Sequence, residues 1–336
     1  MRKYLISDKG HFYKANLHCH TTVSDGDLTP GEIKELYKKE GYSIIAFTDH
    51  ELLQDHSYLN DDEFLAITGY EISFCEEKEG PWKYKKNCHI NCYARDPRNT
   101  RIVNYHPSNF WLCGPETYLK QEYYGEPRPK EYSAEGVNRV IREANEHGFI
   151  VSYNHPVWSC ENYEQYTAYK GLFALEIYNY GSDLTSGMDY VPLVYDDMLR
   201  ANGRLFAISG DDNHNKKGSD RDSFGAVTMI KAEKLDYDLI ISALEKGDMY
   251  TKMRYSPELT SLYVEDGKAY VDCGPAKHIY MRTGSRTCIG YHADGDEFIT
   301  HAEFDVAPDD TYIRFELVGS DGSRTATNAY FIEDIL

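Results

Sequence analysis

The sequence predicts an α/β chain, a barrel-like unit followed by a small antiparallel β-domain. Three observations carry that expectation. Short apolar runs alternate with helix-like segments over the first two thirds, metal-seeking side chains recur just after those runs, and beyond Glu258 the alternation gives way to strands and turns. Alternation on this scale implies parallel strands with helices outside. Chemistry-bearing residues at the ends of many separate strands converge only if the sheet closes or nearly closes, which favours a barrel over an open doubly wound sheet.

Strands are expected near residues 15–18, 43–47, 65–73, 89–93, 149–153, 172–178 and 204–209. Thr29-Pro30-Gly31-Glu32 has the form of a capping box with proline at the first helical position, opening a helix to about Glu40. Ser133 to His147, closed by Gly148, is a second helix, and Val191 to Asn202, closed by Gly203, a third. Residues 237–254 form a last helix–strand unit with Leu239, Ile240, Ala243 and Leu244 as its apolar stripe. The barrel unit is therefore placed at residues 1–256 and a small all-β domain at 257–336. In the latter, Ser261 to Val264, Tyr312 to Leu317 and Ala329 to Ile332 are set off by turns such as Glu265-Asp266-Gly267 and Ser320-Asp321-Gly322. Residues 104–132, rich in proline and in Tyr105, Phe110, Trp111, Tyr118, Tyr123 and Tyr124, read as an insertion. It is either a lid over the site or, equally, a packed excursion or an oligomer contact.

At 336 residues the chain can bury a substantial core, and 41% hydrophobic with 27% charged residues is ordinary for a soluble protein. A formal charge of −19 argues against a grip on extended nucleic acid but not against a small phosphorylated substrate. The first nine residues lack the apolar core of a signal peptide, and no run is long enough to cross a bilayer. Eight cysteines without a repeated spacing read as reduced thiols. A cytoplasmic protein with no membrane partner is expected, with an oligomer left open.

The chemistry begins at His18-Cys19-His20. Side chains alternate along a strand, so His18 and His20 share a face, as do Asp212 and His214, while Cys19 points away as a buried thiol. Thr48-Asp49-His50, Gly69-Tyr70-Glu71, His89 and Asn154-His155-Pro156 follow at other strand ends. The candidate metal ligands are thus His18, His20, Asp25, His50, Glu71, His89, His155, Asp212 and His214. Each fragment alone has a plainer reading: Asp49 as a helix cap, Asn154-His155-Pro156 as a turn, Glu71 as a surface carboxylate. Their joint occurrence points to a multinuclear centre. Imidazole and carboxylate without thiolate suit zinc, manganese or iron, and nine ligands suit two or three divalent ions. Such a centre lowers the pKa of bound water and prepares a hydroxide for attack, which is the equipment of a hydrolase.

The stretch Leu17 to Gly26, then Phe47-Thr48-Asp49-His50, Gly69-Tyr70-Glu71, His89, Asn154-His155-Pro156 and Gly210 to His214, resembles the PHP family, named for polymerase and histidinol phosphatase. The resemblance covers roughly residues 12–254 and implies a distorted (β/α)7, TIM-like barrel with a trinuclear site and metal-dependent phosphoester hydrolysis. Carried over by position, His18, His20, Glu71 and Asp212 would hold one ion and Asp25, His50 and His214 a second. His89 and His155 would complete a third, with Glu71 bridging. The chain departs from the family in a longer spacing between Glu71 and His89. The adjacent Asp211 and Asp212 are resolved in favour of Asp212 by the Asp-X-His motif.

The expected reaction is attack of a metal-bridging hydroxide on the phosphorus of a small phosphorylated substrate. Arg95, after the His89 strand, is a candidate phosphate clamp, and Asn179, ending another strand, a candidate pocket residue. His106 and Lys216 are candidate acids for the leaving oxygen, although single residues of these types are more often surface groups. An amide, ester or carbamate hydrolase on the same metals is the alternative that the Tyr-rich insertion keeps open. A non-catalytic, metal-stabilised binding module is the third reading, disfavoured because it has no use for so many costly polar groups.

Overall fold

The computed structural model describes residues 2–81, 83 and 85–336, and one long mixed sheet organises them. The chain passes through β1 (Lys3–Tyr4), β2 (His11–Asn16), α1 (Pro30–Lys39), β3 (Ile44–Phe47), β4 (Leu65–Cys75), β5 (Asn87–Ala94), α2 (Pro115–Tyr118) and α3 (Ala134–Glu146). It continues through β6 (Phe149–Tyr153), α4 (Tyr163–Tyr166), β7 (Ala174–Asn179), α5 (Tyr180–Ser186), α6 (Pro192–Asn202), β8 (Phe206–Gly210), β9 (Ala226–Ala232), α7 (Tyr237–Lys246) and β10 (Met249–Met253). The α/β class and the three long helices expected from caps and periodicity are present. At α1 the capping box is complete: Glu32 N donates to Thr29 Oγ1 at 3.3 Å, and Thr29 N to Glu32 Oε2 at 2.8 Å. α3 starts at Ser133, whose hydroxyl accepts from Gly136 N, and buries Val137, Val140, Ile141 and Ala144.

In space the strands run β9-β2-β3-β4-β5-β6-β7-β8. The pairs β2–β3, β3–β4, β6–β7 and β7–β8 are parallel. β5, however, is antiparallel to both β4 and β6, which corrects the expectation of parallel strands throughout. The cause is the connection: β4 returns as β5 through residues 76–86 as a hairpin would, whereas a parallel pair needs a crossover.

The sheet curls so that the segments following β2 and β8 meet. Beyond β2 and β8, Asp212 N donates to His18 O at 2.9 Å and His20 N to Asn213 O at 3.0 Å, and Cys19 bridges Asn213 in parallel. Asn213 turns outward here, its amide receiving Asn16 Nδ2 at 3.0 Å, so Asp212 and His214 turn inward. Strands β2 to β8 are thereby drawn into a ring at one rim. Cys19 is fully buried and away from that rim, in an apolar cluster with Ile33, Tyr37 and Phe47.

The remaining elements are β11 (Leu259–Glu265), β12 (Lys268–Ala276), β13 (His278–Thr283), β14 (Cys288–His292), β15 (Ile299–Asp305), β16 (Tyr312–Val318), β17 (Arg324–Thr327), β18 (Tyr330–Phe331) and α8 (Ile332–Ile335). One antiparallel sheet, β1-β11-β12-β15, stands apart. The other strands, β14-β13-β16-β17, continue the long mixed sheet where β17 pairs β10. Leu262, Val271 and Phe304 from the first share a core with Ile279 and Phe315 from the second. Residue 256 falls between β10 and β11, yet β1 crosses that line to pair β11. The strand expected at Ala329 to Ile332 is two residues long and passes into α8.

Candidate metal centre

The nine candidate ligands meet at the rim where β2, β3, β6 and β8 end, and β4 supplies Glu71 from its interior before running on to Cys75. β5 contributes from its beginning: its reversed direction brings His89, its third residue, to the same rim. Ligand atoms lie within 4.8 Å of one another in four overlapping groups. These are His20, Asp25, His50 and His214; His18, Glu71 and His155; His18, His20 and Asp212; and His50, Glu71 and His89. Glu71 is central. Its Oε1 lies 3.2 Å from His18 Nε2, 3.1 Å from His89 Nδ1 and 3.4 Å from His155 Nε2, and its Oε2 lies 3.0 Å from His50 Nδ1. Asp212 Oδ1 is 3.2 Å from His18 Nε2 and 3.0 Å from His20 Nε2, and Asp25 Oδ2 is 3.3 Å from His214 Nε2.

These residues fit divalent ions. Six imidazoles and three carboxylates without a thiolate form a donor set for zinc, manganese or iron. The ring nitrogens His20 Nδ1, His50 Nδ1 and both of His89 are buried yet make no aligned hydrogen bond among the described residues. The short approaches of His50 and His89 to Glu71 are contacts without hydrogen-bond geometry. His18 Nε2 and His20 Nε2 face each other at 3.2 Å, an arrangement that two lone pairs do not favour without a shared proton or cation. Asp212 (φ 53°) and His155 (φ 27°) hold left-handed backbone conformations, strain of the kind found at functional sites.

The electrostatics follow from burial and proximity. Burial disfavours the Asp212 and Glu71 carboxylates, but His18 and His20 around the first, and His89, His18 and His50 around the second, hold both well below the usual range. Burial likewise opposes the His18 imidazolium, and Asp212, Glu71 and Glu176 outweigh it and push its pKa well up. His214 rises to about 9, its burial overcome by Asp25 and Asp212. His50 moves the other way, lowered by burial and by His20.

Around the ligands lies a second layer whose importance the sequence did not reveal. Glu176 Oε1 lies 3.0 Å from His18 Nδ1, leaving Nε2 to face the centre, and Glu176 Oε2 accepts from His155 N at 3.2 Å. Asn154 Nδ2 donates to Glu71 Oε1 at 2.9 Å. Asp49, for which a helix cap was the plainer alternative, ties down the turn that carries Asp25, accepting from Thr21 N at 2.7 Å and Ser24 Oγ at 2.8 Å. Asp211 stays out of the centre and pins the seam, accepting from Tyr37 Oη at 2.8 Å and Phe224 N at 2.7 Å. The signal for Glu176 was an acidic residue inside the apolar run Ala174–Asn179, where only a partnered carboxylate is tolerated.

Three expected residues do not line the cleft above the centre. Arg95 follows the far end of β5, six residues from His89 and so about 20 Å along the strand. Its Nε donates to Glu245 Oε1 at 2.7 Å. Asn179 is fully buried, donating to Glu176 Oε2 at 2.8 Å and Asp212 Oδ2 at 3.2 Å, and it caps α5 through Ser182 N. It supports a ligand and does not face the cleft. His106 is held by Ser108 Oγ at 2.7 Å and caps the short turn Pro107–Asn109; Ser108 and Asn109 of that turn line the cleft, but His106 itself does not. Lys216 does line the cleft, its ammonium bonded to the Asp25 carbonyl.

Above the centre opens a cleft of about 1350 Å³. Asp25, His50, Glu71, His89, His155, Asp212 and His214 line it, and His18 and His20 lie beneath, fully buried. Ser108, Asn109, Trp111, Pro129 and Lys130 of the 104–132 insertion form part of its wall, so the insertion reaches the site. Lys130 is anchored there by Glu51, which follows His50.

A family model described as the PHP domain matches residues 16–235, and the chain belongs to that family. A 5'-3' exoribonuclease of Haemophilus influenzae is 35% identical over 74 residues, 20% of this chain and 26% of that protein, so the likeness spans about a quarter of its length. Among solved structures, a Bacteroides vulgatus two-domain protein described as containing a predicted PHP-like metal-dependent phosphoesterase is 14% identical, with 98% of each chain covered and a TM-score of 0.45. An amidohydrolase from Chromobacterium violaceum is 18% identical, with 60% of this chain and 87% of that one covered and a TM-score of 0.39. Membership therefore rests on the family match. No helix among the described residues is long and apolar enough to cross a membrane.

Proposed function

We propose that the protein is a metal-dependent phosphoesterase acting on a small phosphorylated molecule. The observation that carries this reading is the convergence of the nine candidate ligands, in a PHP domain, on the floor of one cleft. Glu71 would be shared between ions, with His18, His20, Asp25, His50, His89, His155, Asp212 and His214 completing their shells. Divalent ions held by these residues would supply an activated water and offset the charge of the phosphoryl group. The chain's own groups do the rest. Glu176 fixes the His18 ring, Asn154 and Asn179 orient Glu71 and Asp212, and Asp49 holds the Asp25 turn. Lys85, Lys130, Lys216 and Arg221 line the cleft and would serve as cations for a phosphate, and Lys216 beside Asp25 would protonate the departing oxygen.

Trp111 and Trp158 in the cleft wall support a second reading, hydrolysis of a neutral carbamate, ester or amide on the same ions. Protein loaded with manganese, zinc or iron, assayed on phosphomonoesters, nucleotides and carbamates, separates the two. Phosphate release that Asp212→Asn abolishes is the expected result; turnover of carbamates alone would reject the phosphoesterase reading.

A further inference from the structure

Two tryptophans stand at the mouth of the cleft without the burial that usually accounts for an indole. Trp111, from the insertion, is 66% exposed, and Trp158, from the loop after His155, is 44% exposed. Each nevertheless contacts ligand rings. The Trp111 ring centroid lies 5.9 Å from that of His50, and Trp158 lies 5.1 Å from His89 and 4.9 Å from His155. His50 and His89 are themselves 5.6 Å apart, both against Glu71. The two indoles therefore bracket the His50–Glu71–His89 group, one at each end, and leave their remaining surface open to the cleft.

An exposed indole offers a large, rigid apolar face at little conformational cost, and its quadrupole prefers stacked or edge-on aromatic partners. A cationic partner is the other group that indoles recognise. It is disfavoured here, because divalent ions held on the Glu71 group, which both indoles flank, would repel it. A planar, uncharged ring joined to the reacting group does not meet that objection. Leu184 and Pro129 extend the apolar wall on which such a ring would rest.

We infer that the substrate carries a flat aromatic group, held against Trp111 and Trp158 while its phosphoryl group lies over the Glu71 ligands. This deepens the phosphoesterase reading and rests on it for the identity of the reacting group. Trp111 and Trp158 are then specificity-determining residues, and the insertion exists in part to deliver one of them.

Phenylphosphonate and cyclohexylphosphonate test the inference, being of similar size and charge, resistant to hydrolysis, and different in planarity. Their dissociation constants on manganese-loaded protein are measured by calorimetry for the wild type, Trp111→Ala, Trp158→Ala and the corresponding Phe variants. The wild type should bind the phenyl compound at least threefold more tightly. Each Ala variant should bring that ratio towards one, and Phe should keep most of it. A wild-type ratio at or below one, or a ratio that neither Ala variant changes, overturns the inference. If the ratio behaves as expected but no phosphate ester, phenyl phosphate included, is hydrolysed, the phosphoesterase reading fails and the aromatic subsite stands. If phenyl phosphate is hydrolysed without a phenyl preference in binding, the reverse holds.

Discussion

Two regions of this molecule bury charge, and they do so in opposite ways. At the junction of α6 with the β-domain, fully buried Arg314 donates to Asp196 at 2.8 and 2.7 Å and to Glu316 at 2.7 Å. Tyr312 Oη also donates to Asp196 at 3.0 Å, and Arg282 and Arg324 reach Glu316 at 3.0 and 3.2 Å. The protein supplies its own counter-charges there. At the rim of the long sheet, imidazoles and carboxylates crowd around Glu71, yet four ring nitrogens have no aligned partner among the described residues. One network is closed; the other is complete only with cations. Buried polarity that satisfies itself fixes structure, and buried polarity that does not marks a place for something to bind.

The largest consequence belongs to the open network. Chelation should abolish phosphate release and, with the ions gone, lower stability by about 4 kcal/mol relative to protein held at a thousandfold excess of metal over Kd. Calorimetric scans with and without EDTA, followed by manganese add-back, check both. Asp212→Asn should cost about 100-fold or more in phosphate release while the fold, read by circular dichroism, survives. An Asp212→Asn protein with wild-type turnover would mean that the rim is not the active centre.

The closed network should respond in the opposite sense. Arg314→Met leaves buried Glu316 and half-buried Asp196 without their main cation, so about 3 to 5 kcal/mol of stability should be lost in urea unfolding. Activity per folded molecule and metal stoichiometry should stay unchanged. A variant that unfolds no more easily but loses metal would show that the two regions are coupled and erase the distinction.

Much of the open network was legible in the sequence, and the reason is periodicity. His18 with His20, and Asp212 with His214, announce themselves because alternate residues share a face and because His and Asp seldom close an apolar run without purpose. Strand direction was not legible. Nothing in residues 76–86 declares that β4 returns as β5, so Arg95 was placed near the rim when it lies at the far end of the same strand. Glu176 was hidden because one acid in an apolar run gives no hint of its partner, and Asn179 because a strand-end amide reads as a pocket residue when it is a brace. The closed network was invisible for a related reason: Asp196 and Arg314 are 118 residues apart and meet only in the fold.

Glu176→Gln tests the brace behind the open network. The amide retains shape and a hydrogen bond but removes the charge facing His18, so metal affinity should fall about 10- to 100-fold with little change in unfolding. Competition titration against a chelator of known affinity measures it. Equal affinity would demote Glu176 to packing.

The smallest effect separates the regions by pH. Burial disfavours the Glu316 carboxylate, but Arg314, with Arg282 and Arg324, holds its pKa below the ordinary value of 4.5. Folded protein therefore takes up this proton less readily than unfolded protein. The stability that Glu316 contributes is fully present above about pH 4.5 and disappears as pH falls through its lower folded value. Glu316→Gln should accordingly flatten the acid limb of a stability–pH curve below about pH 4.5 and leave its shape near neutrality unchanged. Urea midpoints in metal-free protein isolate this from the rim, where protons and cations compete for the same nitrogens. If the variant's curve tracked the wild type's down to pH 3, the closed network would not be a source of acid sensitivity, and its arginines would be holding geometry alone.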